Sequence, residues 1–205
     1  MHEVTSIAVV GVGGQGTLLA SELIAQAARC AGYDVKKNEL HGMAQRGGSV
    51  VSEVRFGPKV HSPVIPDGET DVLVALELLE GLRHAHTVRP GGAILSDDLR
   101  LPPAVRPPGA PAYPEDVAER LHACAAGVFL LPATQLAKQA GNSRAANTVL
   151  IGALSRHLPL PVEAWHRALA ATLRPALLEV NLQAFALGSE TAATMDGGAR
   201  VQRGD

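Results

Sequence analysis

Cysteine is scarce. The chain has two in 205 residues, Cys30 and Cys124, far apart in sequence. A disulfide framework or a zinc site needs more thiols at closer spacing. A four-thiolate iron–sulfur cluster cannot be completed by this chain alone. Both cysteines read as small side chains packed within helices. Aromatic residues make up only 3% of the chain, so Ala, Leu and Val must fill the core; a hydrophobic content of 46% still demands a packed globule and argues against disorder. No run of 18 apolar residues occurs, which excludes a membrane-spanning helix of the usual kind. Net charge is -2 and Lys and Arg form no cluster, so a nucleic-acid-binding face is not expected. Met1 to Ser6 shows no charged stretch followed by an apolar one, as a secretory signal would. The expected location is the cytoplasm.

What is present alternates between strand and helix. Ile7–Val10 is a short apolar run ending at Gly11, as a buried parallel strand does. From Thr17 to Ala31 the apolar residues Leu19, Leu23, Ile24, Ala27 and Ala28 form one helical stripe, closed by Gly32. Strands are predicted at 35–40, 49–56, 72–76, 93–96 and 128–131, with helices at 77–87 and 115–126. Over 49–56, Val50, Ser52, Val54 and Phe56 share one face. Arg89-Pro90-Gly91-Gly92 reads as a turn, and the six prolines of residues 102–114 as a surface excursion. After about residue 133 only helices are predicted: 134–140, a helix capped by Asn142 or Ser143 and running to His157, one beginning at Pro161, and a last one from Arg174-Pro175 to Gly188. Residues 189–205 are small and polar, and a disordered tail is expected. The fold class is therefore α/β: a doubly wound, mostly parallel Rossmann-like sheet over 1–188, with a helical segment at its C-terminal end.

Two segments carry chemistry. Gly11-Val12-Gly13-Gly14-Gln15-Gly16 satisfies G-x-G-x-x-G between a strand and the helix beginning at Thr17. Glycines permit the tight turn and close approach of backbone to a phosphate, and the helix N-terminus faces the anion. A nicotinamide site would also need an acid near the end of the second strand; Glu39 is the candidate and Asp34 a poorer one. A glycine-rich loop follows at once, where an ordinary dinucleotide domain would begin its second helix. That loop holds His41, Gln45 and Arg46 beside Gly47-Gly48. Convergent backbone N–H groups and a guanidinium fork suit phosphate or carboxylate; equally, Arg46 could pair with a local acid and His41 be structural. Farther on, Asn147 lies in an apolar helix beside Val149, Leu150, Ile151 and Leu154. A buried amide must be hydrogen-bonded, and it is expected to meet backbone or partner groups near the glycine turn.

Taken in order, GVGGQG, HGMAQRGGSV with SEVRFG, SPVIPDGETDVLVALELLEGLR, RPGGAIL, NTVLIGAL and EVNLQAFALG resemble the gamma-type domain of the 2-oxoacid:ferredoxin oxidoreductases. The resemblance covers roughly residues 5–188 and is nearest to small subunits of members acting on an aryl 2-oxoacid. It implies a non-autonomous subunit. The whole enzyme of that family oxidatively decarboxylates a 2-oxoacid to an acyl-CoA and passes two electrons to ferredoxin. A large partner subunit carries thiamine diphosphate and iron–sulfur clusters; this chain has no Gly-Asp-Gly followed by Asn of the sort that holds thiamine diphosphate. The gamma-type domain helps close the active site. The resemblance carries Gly13, Gly14, Gln15 and Gly16, flanked by Gly11 and Thr17, as a phosphate-facing turn and a candidate for coenzyme A. It carries His41, Gln45, Arg46, Gly47 and Gly48 as an active-site-facing loop. No metal ligand and no catalytic residue is assigned. Two other readings stand beside it: a stand-alone dinucleotide-binding or regulatory module, and a structural subunit with an empty turn.

Overall fold

The computed structural model describes residues 4–41, 48–102, 112–125 and 127–195. Six strands, β1 (Thr5–Val12), β2 (Asp34–His41), β3 (Ser49–Gly57), β4 (Thr70–Ala75), β5 (Val88–Asp97) and β6 (Gly127–Leu131), form one sheet in the order β2-β3-β1-β4-β5-β6. The pairs β1–β4, β4–β5 and β5–β6 are parallel. β3 runs antiparallel to both its neighbours. The sheet is thus mostly parallel, with β3 as the inverted strand. The reason lies in the connection: residues 42–48 are too few for the crossover that a parallel pair requires, which takes about a dozen residues or more. β2 and β3 therefore pair as a hairpin, and His41 lies opposite Val50.

Alternation along each strand creates two cores. Ile7 and Val9, Val54 and Phe56, Val72 and Val74, Ala93 and Leu95, and Phe129 and Leu131 face one side. There they pack against α1 (Thr17–Cys30), α4 (Ala133–Gln139), α5 (Ala146–Leu154), α6 (Val162–Thr172) and α7 (Pro175–Met195). Ala8 and Val10, Leu73 and Ala75, and Ile94 face the other side. They pack against α2 (Leu78–His84) and α3 (Val117–Cys124) through Leu78, Val117 and Leu121. The period of two along the strands accounts for this division. The chain leaves β1 toward one face and the adjacent β4 toward the other, so the crevice between their carboxyl ends is a topological switch point, where ligands of such sheets bind.

The long C-terminal helices meet unusually closely. A Cβ placed on Gly188 of α7 would lie 1.9 Å from the Val149 carbonyl oxygen, and one on Gly152 of α5 would lie 2.0 Å from that of Phe185. α7 also runs on to Met195, seven residues past the end expected at Gly188. Ala192, in that extension, is buried in the core, so small residues that look tail-like in sequence continue the helix. Two other boundaries differ. β5 begins at Val88, so the expected turn at 89–92 is a bulged strand start, with Gly91 at φ +75° and a register shift opposite β4. The helix expected from 142 to 157 is a 3-10 turn at Ser143–Ala145 followed by α5, with Asn142 accepting from the Arg144 N–H at 3.0 Å.

Candidate functional site

The switch-point crevice is built on the glycine turn. Gly11, still in β1, packs beneath it: a Cβ there would lie 2.9 Å from Gln15 Oε1, 3.0 Å from Leu76 Cβ and 3.1 Å from Thr17 Cγ2. Gly13 N–H donates to the Gly48 carbonyl at 2.8 Å. Gly14 has φ +104° and open space within 4 Å of where its Cβ would be. Gly16, at φ +85°, caps α1. The N–H groups that open α1 have no carbonyl one turn earlier to bond, so the turn presents donors and the positive end of a helix dipole.

Gln15 spans the turn. Its Oε1 accepts from Val12 N–H at 2.7 Å and its Nε2 donates to the Leu76 carbonyl at 2.8 Å. Both ends of the amide are thus used to tie β1, the turn and the end of β4 together. Thr17, the first residue of α1, is buried, with Cγ2 packed under Gly11. Gly14, Gln15 and Gly16 line an open cleft of about 450 Å³, whose other walls include Leu76, Asp97, Leu99, Leu101, Thr134, Arg144 and Asn147.

Asn147 reaches the turn across 131 positions of sequence. Its Nδ2 donates to the Gly16 carbonyl at 3.3 Å, and its Oδ1 accepts from Thr148 N–H at 2.8 Å. Thr148 Oγ1 then donates to Asn181 Oδ1 at 2.6 Å, and Asn181 Nδ2 to the Leu177 carbonyl at 2.8 Å. A polar relay thus passes from the glycine turn through α5 to α7, satisfying the amide as its burial requires.

The far wall depends on two buried acids. Asp97, at the end of β5, accepts from Thr134 Oγ1 at 2.6 Å. Burial holds its carboxyl above the usual aspartate range, although the Thr134 bonds pull the other way. The folded state then binds more protons than the unfolded one between the two values, so this group's contribution to stability falls as pH rises through that window. We expect Asp97→Asn, which keeps an acceptor for Thr134, to flatten this part of the pH dependence and to melt no lower than the parent at neutral pH. Thermal melts between pH 4 and 8 check it; a markedly lower melting temperature at pH 7 would show that the charge itself stabilises the fold. Glu77 caps α2. One oxygen accepts from Glu80 N–H at 2.8 Å; the other accepts from Leu101 N–H at 3.1 Å and from Tyr113 O–H at 2.7 Å. Burial and that bond push the Tyr113 phenol upward. Leu78 N–H also donates to the Leu99 carbonyl at 3.0 Å. α2 thereby straps down the segment that supplies Leu99 and Leu101 to the cleft.

Of the sequence-predicted loop, Gly48 stands beside the glycine turn, its carbonyl accepting from Gly13 N–H. His41 closes β2. Its side chain, and the whole of Gln45, Arg46 and Gly47, lie outside the described residues. The two acids considered for a nicotinamide ribose are elsewhere. Glu39 pairs with Lys37 at 3.0 Å, and Asp34 accepts from Val60 N–H at 2.9 Å beside Lys59. Both lie on β2, separated from β1 by β3. Sequence reading passed over Asp97, Glu77, Thr134 and Arg144. The available signal was an acid at the carboxyl end of each of two apolar runs, LVALE and AILSD. Among the described residues no His, Cys, Asp and Glu side chains cluster as a metal site would need, and no helix is long and apolar enough to cross a membrane.

Comparison with known proteins places these features in context. The family model for pyruvate ferredoxin/flavodoxin oxidoreductase matches residues 6–191. The chain is 38% identical to the indolepyruvate oxidoreductase subunit IorB of Thermococcus kodakarensis, covering 94% of this chain and 98% of that one. It is 37% identical to the subunit of the same name in Archaeoglobus fulgidus, over 91% and 94% respectively. In structure it is similar to the gamma subunit of a keto/oxoacid ferredoxin oxidoreductase from Geobacter sulfurreducens, with a TM-score of 0.70 and 25% identity, covering 93% of this chain and 99% of that one.

Proposed function

The chain belongs to the pyruvate ferredoxin/flavodoxin oxidoreductase family, and from that premise we propose that it works as the small subunit of an indolepyruvate-type enzyme, closing an active site whose redox centres its partner carries. As a subunit of a 2-oxoacid:ferredoxin oxidoreductase it takes part in one overall reaction: an aryl 2-oxoacid and coenzyme A yield an acyl-CoA, carbon dioxide and a proton, while two electrons reduce two ferredoxins. The observation that carries the substrate reading is the near end-to-end match, 98% of the relative's length, to a subunit named for indolepyruvate.

In this reading thiamine diphosphate and iron–sulfur clusters belong to the large subunit, as the family resemblance implies; for the clusters this agrees with Cys30 and Cys124 being too few for a four-thiolate set. Coenzyme A is the candidate ligand of the glycine turn. The open space over Gly14 leaves room for an anion beside the first N–H groups of α1, and Arg144 stands on the cleft wall. His41, Gln45, Arg46, Gly47 and Gly48 form the loop facing the shared site; Arg46 supplies a fork for a carboxylate or phosphate. The proposed location is the cytoplasm. The stand-alone dinucleotide module loses support, because the strand beside β1 on that side is the antiparallel β3, and the two candidate acids, Glu39 and Asp34, stand beyond it on β2.

Purification of the chain alone and with its large partner tests the reading. The lone chain should hold no iron and reduce nothing. The complex should be brown and should reduce ferredoxin only when both indolepyruvate and coenzyme A are supplied. Failure to form any such complex, with tight dinucleotide binding by the lone chain, would overturn it.

A further inference from the structure

Beside the capping Glu77, α2 carries a second buried carboxylate, Glu80. Glu80 is 2% exposed. One of its oxygens accepts from Ser49 Oγ at 2.5 Å, and the other is held by Arg83. His84, one residue beyond Arg83, approaches the same hydroxyl at 3.4 Å, and burial holds its imidazole below the ordinary range. Packing α2 on the sheet does not call for an acid here. The neighbouring Gly81 already sits close against Ala75 and Ser96, and an apolar side chain would cover the sheet without the cost of burying a carboxylate.

Ser49 follows directly on Gly48, whose carbonyl receives the Gly13 N–H at 2.8 Å. Ser49 is also the residue paired with Val12 at the end of β1. The foot of β3 therefore lies between two fixed points, the glycine turn on one side and α2 on the other. Gln15 ties the turn to β4, but it acts on Val12 and Leu76 and leaves Gly13 to be set by Gly48. With Glu77 strapping Leu99 and Leu101 on the opposite wall, a single short helix sets both sides of the cleft.

We propose that Glu80 and Ser49 are positioning residues: through the Gly48 carbonyl they fix the glycine turn in the shape that receives the anionic end of coenzyme A. This rests on the reading that the turn is a working part of the assembled enzyme. Neither residue touches a reacting atom, so the effect should fall on ligand binding.

The test uses the assembled enzyme carrying Ser49→Ala, Ser49→Thr, Glu80→Gln or, as a control, Gly14→Ala, which puts a methyl group into the open space beside Gly14. Ser49→Ala should raise the KM for coenzyme A about fivefold or more while kcat changes less than twofold. Ser49→Thr, which retains the hydroxyl, should restore most of the loss. Glu80→Gln should follow Ser49→Ala in direction. If Glu80→Gln does not assemble, the Ser49 pair decides alone, because that side chain is exposed and its truncation leaves the core intact. A Ser49→Ala enzyme with unchanged KM, beside a Gly14→Ala enzyme with raised KM, overturns the positioning role and leaves the turn's role standing. Unchanged KM in both removes the turn from coenzyme A binding and overturns the proposal with it. A fall in kcat together with the rise in KM, in step with a lower melting temperature and without rescue by Thr, marks a merely structural bond and overturns it as well.

Discussion

Replacing Gly188 by alanine is expected to destabilise the chain by about 3 kcal/mol or more, and Gly152→Ala nearly as much. The Cβ of the first would stand 1.9 Å from the Val149 carbonyl oxygen and that of the second 2.0 Å from the Phe185 carbonyl oxygen. Neither obstacle is a side-chain tip that can swing aside. Both are backbone atoms of a facing helix, so α5 and α7 must move apart. Separation opens contacts around Val149, Ala153, Ala184 and Phe185, all in the larger core. It also strains the Thr148–Asn181 bond between the same two helices. Overpacking a well-filled core usually costs about 1–3 kcal/mol, and a clash against backbone belongs at or above the top of that range. For a chain of this size, about 3 kcal/mol corresponds to a fall in melting temperature of roughly 6–12 °C. The effects of the two substitutions should not add, because one separation relieves both clashes. Circular dichroism melts of the single and double variants check this; a Gly188→Ala chain melting within about 2 °C of the parent would mean that the helices do not meet as described.

These glycines show how far a sequence can be read. Both stand in segments that resemble the family, NTVLIGAL and EVNLQAFALG, yet neither follows a local rule. A glycine inside a helix is unfavourable by propensity, and its reason appears only when the second helix is in place. Where the determinant is local, sequence and structure agree. Alternation placed Val54 and Phe56 on one face of β3, the apolar runs became β1, β4, β5 and β6, and the glycine turn lies between β1 and α1. Asn147 was legible as well, since an amide among Val149, Leu150, Ile151 and Leu154 must find a partner, and it finds Gly16. Strand order was not legible. Nothing local says that β3 inserts between β1 and β2, although the glycine loop in place of a second helix was a sign that the ordinary order fails. Glu77, Glu80 and Asp97 were missed because acids after apolar runs ordinarily read as solvated strand or helix ends; only tertiary structure buries them.

The second large effect is expected at the glycine turn, where two neighbouring glycines should fail in different ways. Gly16 and Gly14 both have positive φ, +85° and +104°, so alanine at either is strained, by roughly 1–2 kcal/mol. At Gly16 the strain has company: the new Cβ would lie 2.6 Å from Asn147 Nδ2. The amide must withdraw, its bond to the Gly16 carbonyl breaks, and the relay to Thr148 and Asn181 is disturbed. A shift of about 1 Å in a positioning element can reduce turnover by about a hundredfold, and Gly16→Ala should lower kcat/KM of the assembled enzyme by that order while also lowering the melting temperature of the lone chain. At Gly14 nothing stands within 4 Å of the new methyl group. The lone chain should lose only the strain, and its melting temperature should move by a few degrees. The methyl group nevertheless enters the open space beside Gly14 that the proposed anion would use next to the opening N–H groups of α1. The KM for coenzyme A should therefore rise tenfold or more in the Gly14→Ala enzyme. If the turn were only a tight corner between β1 and α1, Gly16→Ala would still destabilise the chain and Gly14→Ala would be silent in every kinetic measurement. The contrast between the two variants, with melts of the free subunit set beside steady-state rates of the complex, separates a ligand-bearing turn from a structural one.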